Sequence, residues 1–260
     1  MASNSRWRGA PGEVQTSGPR FTARSLLLDK IFRRAKPARA LDIGCGRGAI
    51  TRVLARRSRS VLATEVTEAG VDAATTALRD CPQVQVRLAN LFDGGSPDSL
   101  DGEAPFDLIL VSEVLEHIDD DLSALRTMWD LLSDDGLLVV TVPRDPDFWS
   151  VEDEMWDHKR RYTRSQLLSK FHTANFRITR LWTWGFPVTK QIVRYQISRL
   201  GTQSGADRDT TPTTMRPPAL LLPVARLTFN AIARMEQAFK NSDRGLGYVA
   251  AARKDATKTD

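Results

Sequence analysis

The chain has 260 residues, a formal charge of +5, 41% hydrophobic and 27% charged residues, and two cysteines. This length can bury the core of one elaborated domain, and the composition excludes wholesale disorder. The longest apolar run, Ala219 to Ala225, is broken by Pro223 and falls short of the ~20 residues of a spanning helix. The first residues carry no apolar stretch of a secretory signal. Cys45 and Cys81 lack paired spacing, which excludes a disulfide framework or a cysteine zinc site. A cytoplasmic protein is expected. The charge is uneven: residues 1–39 sum to +7, 40–187 to −8 and 188–260 to +6. Without a basic-aromatic motif, the basic flanks read as solvated ends rather than a nucleic-acid surface.

In chain order, residues 1–22 are rich in Gly, Pro, Ser and Arg and read as a disordered leader. A helix is expected from Ser25 to Arg34, stopped by Pro37. Short apolar runs then alternate with helical segments. Strands are expected over Ala40–Ile43, Ser60–Val66, Val84–Leu88, Phe106–Ser112 and Leu137–Val142. The helices between them cover Ala49–Arg57, Val71–Arg79 and Leu122–Leu132. That alternation implies an α/β fold with a mostly parallel sheet and helices on both faces. Arg144 to Asp157 reads as a loop, Ser165–Thr173 as a helix and Arg177–Trp184 as a strand. The core would span 23–186. A helical insertion over 187–245 follows, with a mobile linker at 201–218 and a helix at 219–240; a closing strand at 246–254 and a tail at 255–260 end the chain. The apolar face of 219–240 suits a lid wall docked on the core, with a dimer face or a membrane-surface contact as alternatives.

The most informative stretch is Ala40-Leu-Asp-Ile-Gly-Cys-Gly-Arg-Gly-Ala49. A buried strand delivers Asp42, and glycines then permit a sharp turn and close approach of a ligand to the backbone. The G-x-G-x-G spacing differs from the G-x-G-x-x-G of dinucleotide binding. An acidic residue before the glycines repels phosphate and suits an amino-bearing ligand. Glu65, at the end of the next strand, can accept both hydroxyls of a ribose.

These residues, with Asn90-Leu91 and FDLILVSEVLEHI at 106–118, resemble the class I S-adenosylmethionine-dependent methyltransferases. The resemblance covers roughly 23–185, with an echo in GYVAAARK at 247–254. It implies a Rossmann-like seven-stranded sheet with a final antiparallel strand, and S-adenosylmethionine as cofactor. By position, Asp42, Gly44 and Gly46 would hold the cofactor's amino-acid part and Glu65 its ribose. Asn90 stands where the family often has Asp to meet adenine. Cys45, Val66, Leu91 and Ser112 complete the expected contacts. The block His158-Lys-Arg-Arg-Tyr-Thr-Arg-Ser-Gln-Leu167 is similar to that of a subgroup containing ubiquinone-type O-methyltransferases.

An oxygen acceptor must lose its proton, to a general base or through a metal that lowers its pKa. His117 and His158 are the candidates for catalysis. If the chain turns helical after the fourth strand, Glu113 and His117 share a face, with Glu116 adjacent. Together with His158 they could bind Mg²⁺, Mn²⁺ or Zn²⁺. The E-x-x-E-H cluster also looks like the metal site of small-RNA 2′-O-methyltransferases. A site without tightly bound metal is the preferred reading, because VLEH is common in the class without one. Arg160, Arg161 and Tyr162 could grip an anionic acceptor, or begin a helix that Thr163 caps. Trp149 and Trp156 could line a pocket for a flat acceptor. A small-molecule acceptor is expected, methylated at oxygen. A metal-assisted RNA 2′-O-methyltransferase and a non-catalytic cofactor-binding or membrane-surface protein are the alternatives.

Overall fold

The computed structural model describes residues 18–92, 100, 102–103, 105–202 and 222–255. Strands β1 (Arg39–Ile43), β2 (Ser60–Glu65), β3 (Val84–Leu88), β4 (Phe106–Ser112), β5 (Leu132–Pro143), β6 (Phe176–Trp184) and β7 (Gly247–Lys254) form one sheet. Their order is β3-β2-β1-β4-β5-β7-β6. β7 runs antiparallel to both neighbours, and every other pairing is parallel. This is the Rossmann-like architecture expected.

The strands are apolar throughout because both faces are covered. In β4, Ile109 and Val111 pack under α4 (Asp121–Leu131) and α6 (Arg164–Thr173). Leu108 and Leu110 face the opposite layer, built on α1 (Pro19–Ala35) and α2 (Ala49–Ala55). The remaining helices are α3 (Glu68–Leu78), α5 (Val151–Met155), α7 (Val188–Thr202) and α8 (Leu222–Glu236).

Several boundaries differ from expectation for local reasons. Residues 1–17 of the expected leader lie outside the described residues, but 19–22 do not belong to a leader. They open α1, whose first position is Pro19 and whose buried residues Ala23, Leu27, Leu28, Ile31 and Phe32 follow a helical period. α3 starts at Glu68 because the Thr67 side chain accepts the Gly70 N–H. The expected loop 144–157 contains α5, nucleated by a capping box of Ser150 and Asp153. β5 reaches back to Leu132, which pairs with Phe106 across a register shift.

Within the insertion, most of the expected linker and residues 219–221 lie outside the described residues. α8 packs on α1 and α7. Its buried Glu236 accepts the Thr189 N–H at 2.7 Å and the Thr189 hydroxyl at 2.9 Å, tying it to the first turn of α7. The other end of α8 is open, with Val224 60% and Leu227 72% exposed. Among the described residues no helix is long and apolar enough to cross a membrane.

Candidate active site

The carboxyl ends of β1, β2 and β4 converge on the glycine loop. Asp42 is buried at the end of β1, and its Oδ2 accepts the Thr51 hydroxyl at 2.7 Å. Burial, opposed by that hydrogen bond and reinforced by nearby Glu65, pushes its carboxyl up to about 7. Gly44 has φ +70°, and a Cβ there would meet Val114 Cγ2 at 2.6 Å, so the loop lies directly against the segment after β4. Gly46 has φ +56°, and a Cβ there would meet nothing within 4 Å. Glu65 is also buried; its Oε1 accepts the Gly46 N–H at 2.6 Å and its Oε2 the Val66 N–H at 3.1 Å. Burial raises its carboxyl above the ordinary value despite these bonds. The loop thus presents a buried carboxylate with no cationic partner among the described residues beside backbone that opens onto free space. That combination fits the amino-acid and ribose parts of S-adenosylmethionine.

The other expected cofactor positions differ in exposure and partners. Cys45 is half-buried, and burial drives its thiol well above the usual range. Val66 is exposed, and Leu91 is buried. Asn90 is exposed and closes a short turn by accepting the Phe92 N–H at 3.2 Å. Ser112 Oγ lies 3.0 Å from Thr141 Oγ1.

The segment after β4 does not continue as an α-helix. Glu113 adopts φ +58°, and only Leu115–His117 forms a 3₁₀ turn. The expected sharing of one helical face by Glu113 and His117 is therefore corrected. Glu113 instead accepts the Thr141 hydroxyl at 2.8 Å and pairs with buried Arg24 at 3.1 Å. Glu116, His117 and His158 do come together, with one possible ligand atom of each within 4.8 Å of the others. Glu116 is fully buried, and among the described residues neither carboxylate oxygen has a hydrogen-bond partner. Burial and the nearby Glu113 hold its carboxyl well above the ordinary range.

The two imidazoles meet edge to face, with centroids 4.9 Å apart. His117 Nδ1 lies 3.3 Å from the Asp157 carbonyl, which can only accept, so Nε2 carries the lone pair. Burial and the neighbouring His158 lower its pKa to about 4. His158 Nδ1 sits 2.8 Å from Asp153 Oδ1. Although burial opposes ionisation of Asp153, hydrogen bonds from His158 and Arg161 hold it well below the usual carboxylate range. An ionised Asp153 accepts the Nδ1 proton and leaves His158 Nε2 as the acceptor, 3.9 Å from Glu116 Oε1.

The basic block is occupied internally. Arg161 makes a bidentate pair with Asp153 at 2.7 and 2.8 Å. Arg160 pairs with Asp121 at 2.9 Å and donates to the Asp119 carbonyl. Tyr162 is 1% exposed, and its hydroxyl donates to Asp121 at 2.8 Å. Trp149 is exposed and Trp156 half-buried, one at each end of α5.

Sequence reasoning missed Asp153 and Arg24. The Ser150-x-x-Asp153 spacing carries a capping signal, yet nothing local shows that the same carboxylate also holds His158 and Arg161. Arg24 sits on the helix whose first turn was assigned to the leader.

A methyltransferase-domain family model matches residues 19–181. The chain is 36% identical over 103 residues to a ubiquinone biosynthesis O-methyltransferase of Caulobacter sp. strain K31, covering 39% of each chain. It is 33% identical over 147 residues to that of Xanthomonas campestris pv. campestris strain B100, covering 54% of this chain and 58% of the relative. Both matches thus span less than two thirds of the relatives' length. Among solved structures, a putative sarcosine dimethylglycine methyltransferase from Galdieria sulphuraria aligns with a TM-score of 0.56 and 12% identity, over 91% of this chain and 85% of that one. At that identity the likeness speaks for the fold alone. The chain belongs to the methyltransferase-domain family.

Proposed function

We propose that this chain methylates a hydroxyl oxygen of a small, flat, aromatic acceptor at the Glu116–His117–His158 cluster. The observation that supports this reading is the close approach of the Gly44 turn to Val114, in the same short segment as Glu116 and His117. The cofactor supplies a methyl group on a positively charged sulfur, open to in-line displacement. Asp42 and Glu65 bind its amino and ribose groups, and the backbone at Gly46 lets it approach. His158 Nε2 takes the acceptor proton, and the imidazolium so formed is held by Asp153. His117, with its depressed pKa, stays neutral and accepts a hydrogen bond that orients the acceptor. Trp149 and Trp156 form the acceptor wall. Arg160, Arg161 and Tyr162, being committed to Asp121 and Asp153, support that wall from behind rather than grip the acceptor.

The orphaned Glu116 carboxylate favours a second reading of the same step. Glu116, His117 and His158 suit a divalent cation, with Glu113 outside the set; such an ion would lower the pKa of the acceptor hydroxyl. The deciding experiment measures turnover with a panel of phenols and catechols and assigns the methylated atom by NMR, before and after chelation. Oxygen methylation, and a His158→Ala variant at least 100-fold slower with unchanged S-adenosylhomocysteine affinity, is the expected result. Methylation only at nitrogen or carbon would refute the oxygen reading. Turnover unchanged by chelation would remove the metal.

A further inference from the structure

The two basic flanks of the sequence meet on one surface. A cleft of about 130 Å³ lies on the α1 side of the sheet, lined by Ile31, Arg34, Ala35, Leu137, Arg180, Trp182 and Arg253. Arg34 comes from the last turn of α1, Arg180 from β6 and Arg253 from β7. Leu137 pairs with Leu108 near the start of β4, so the cleft sits toward the amino end of that strand. The cofactor mouth is at the carboxyl end of the sheet. Two ammonium groups flank the floor, with Lys30 Nζ 5.8 Å and Lys240 Nζ 5.7 Å from the Trp182 ring centroid.

Like charges drawn together need compensation, and here the carboxylates are turned elsewhere. Asp29 pairs with Arg33 and Arg57, and Asp134 pairs with Lys254. Asp135 offers Arg253 only its backbone carbonyl. Among the described residues, no carboxylate forms an ion pair with Lys30, Arg34, Arg180, Lys240 or Arg253. The proximity is felt by Lys30, whose pKa is lowered by Lys240, then by burial and by Arg34 and Arg33. Three guanidinium groups around a concave, partly apolar floor form a donor set matched to phosphoryl oxygens, which arginine binds through paired N–H groups.

We propose that this cleft binds a phosphoryl group through Arg34, Arg180 and Arg253, as a site separate from the methyl-transfer centre. The ligand class is a phosphate ester or anhydride, from either a free phosphorylated metabolite or a phospholipid headgroup. The site is independent of the methyl-transfer reading.

The test titrates the full chain with pyrophosphate by calorimetry in low salt, and floats it with vesicles of phosphatidylglycerol or of phosphatidylcholine alone. Variants are Arg34→Gln with Arg180→Gln, and Arg253→Gln singly. Arg34 is exposed at a helix end, so its replacement leaves the fold intact, and S-adenosylhomocysteine affinity serves as the check on folding. Pyrophosphate binding weakened at least tenfold by the double variant supports the proposal with a free ligand. Binding confined to phosphatidylglycerol vesicles, weakened to the same degree, supports it with a headgroup. No binding to either probe, or binding unaffected by all three substitutions, overturns it.

Discussion

Replacing Asp42 by Asn should make the cofactor-free protein gain stability relative to wild type as pH rises, while weakening cofactor binding. The Asp42 carboxyl is raised from 3.8 to about 7 by burial. A carboxyl whose folded-state pKa exceeds its unfolded value holds its proton more tightly when folded, so its ionisation opposes folding. That penalty is absent below the unfolded value of ~3.9, grows with pH up to about 7, and is constant above it. About three units at ~1.4 kcal/mol each give a penalty of ~4 kcal/mol at pH 8 and ~1.5 kcal/mol at pH 5. Asn can still accept from Thr51, but its buried amide N–H₂ needs a partner, which costs about 1–3 kcal/mol at every pH. The robust quantity is the slope: relative to wild type, the variant should gain ~2.5 kcal/mol between pH 5 and pH 8. Urea unfolding without cofactor at pH 5, 6, 7 and 8 measures it. Calorimetry at pH 8 should show S-adenosylhomocysteine binding at least ~30-fold weaker, since a buried charged partner has been removed. A stability difference flat with pH, or undiminished binding, would refute the assignment of Asp42 as an ionisable anchor for a cationic amino group.

The other expectations concern separate parts of the site. Glu65→Ala should weaken S-adenosylhomocysteine binding ~10- to 100-fold, through lost charge-assisted hydrogen bonds, as read by calorimetry. Gly46→Ala should lose ~1–2 kcal/mol in thermal unfolding, since its φ of +56° disfavours a side chain. It should also lose cofactor affinity, because the new methyl group enters the open space of the mouth. Burial pushes the Asp121 carboxyl up, but hydrogen bonds from Lys170, Tyr162 and Arg160 hold it below its ordinary value. Its stabilisation is therefore full above ~pH 4 and fades as pH falls through the folded-state pKa. Tyr162→Phe should remove about 1–2 kcal/mol at pH 7 and less at pH 2, measured by urea unfolding.

The sheet was legible because both of its faces are buried. Runs such as Phe106–Ser112 have no polar side to disguise them, and the strand-loop pattern around Asp42 stands out against any neighbouring sequence. Elements that depend on distant partners were less legible. The first turn of α1 has the composition of a leader, and its helical period shows only once Ala23 and Leu27 are known to be buried. The site divides in the same way. Asp42, Gly46 and Glu65 lie close to the positions that a strand-turn-helix motif dictates. The fate of Glu113 turned on one left-handed residue after β4, which breaks the helical spacing on which the four-ligand set depended. The basic block shows the same limit: Arg160 and Arg161 look free in sequence, and only the fold brings Asp121 and Asp153 to them.

The position of β7 bears on how the chain is made. β5 ends at Pro143 and β6 at Trp184, yet the strand that joins them ends at Lys254. During synthesis at ~5–20 residues per second, roughly 110 residues separate the end of β5 from that of β7. For about 5–20 s the nascent chain therefore carries a long apolar strand with one open edge, joined, once Trp184 is made, by a second strand with no neighbour. Such edges are templates for pairing with other chains. A ribosome that stalls within 185–246 would hold an aggregation-prone intermediate, and premature termination there should yield insoluble product rather than a smaller folded enzyme.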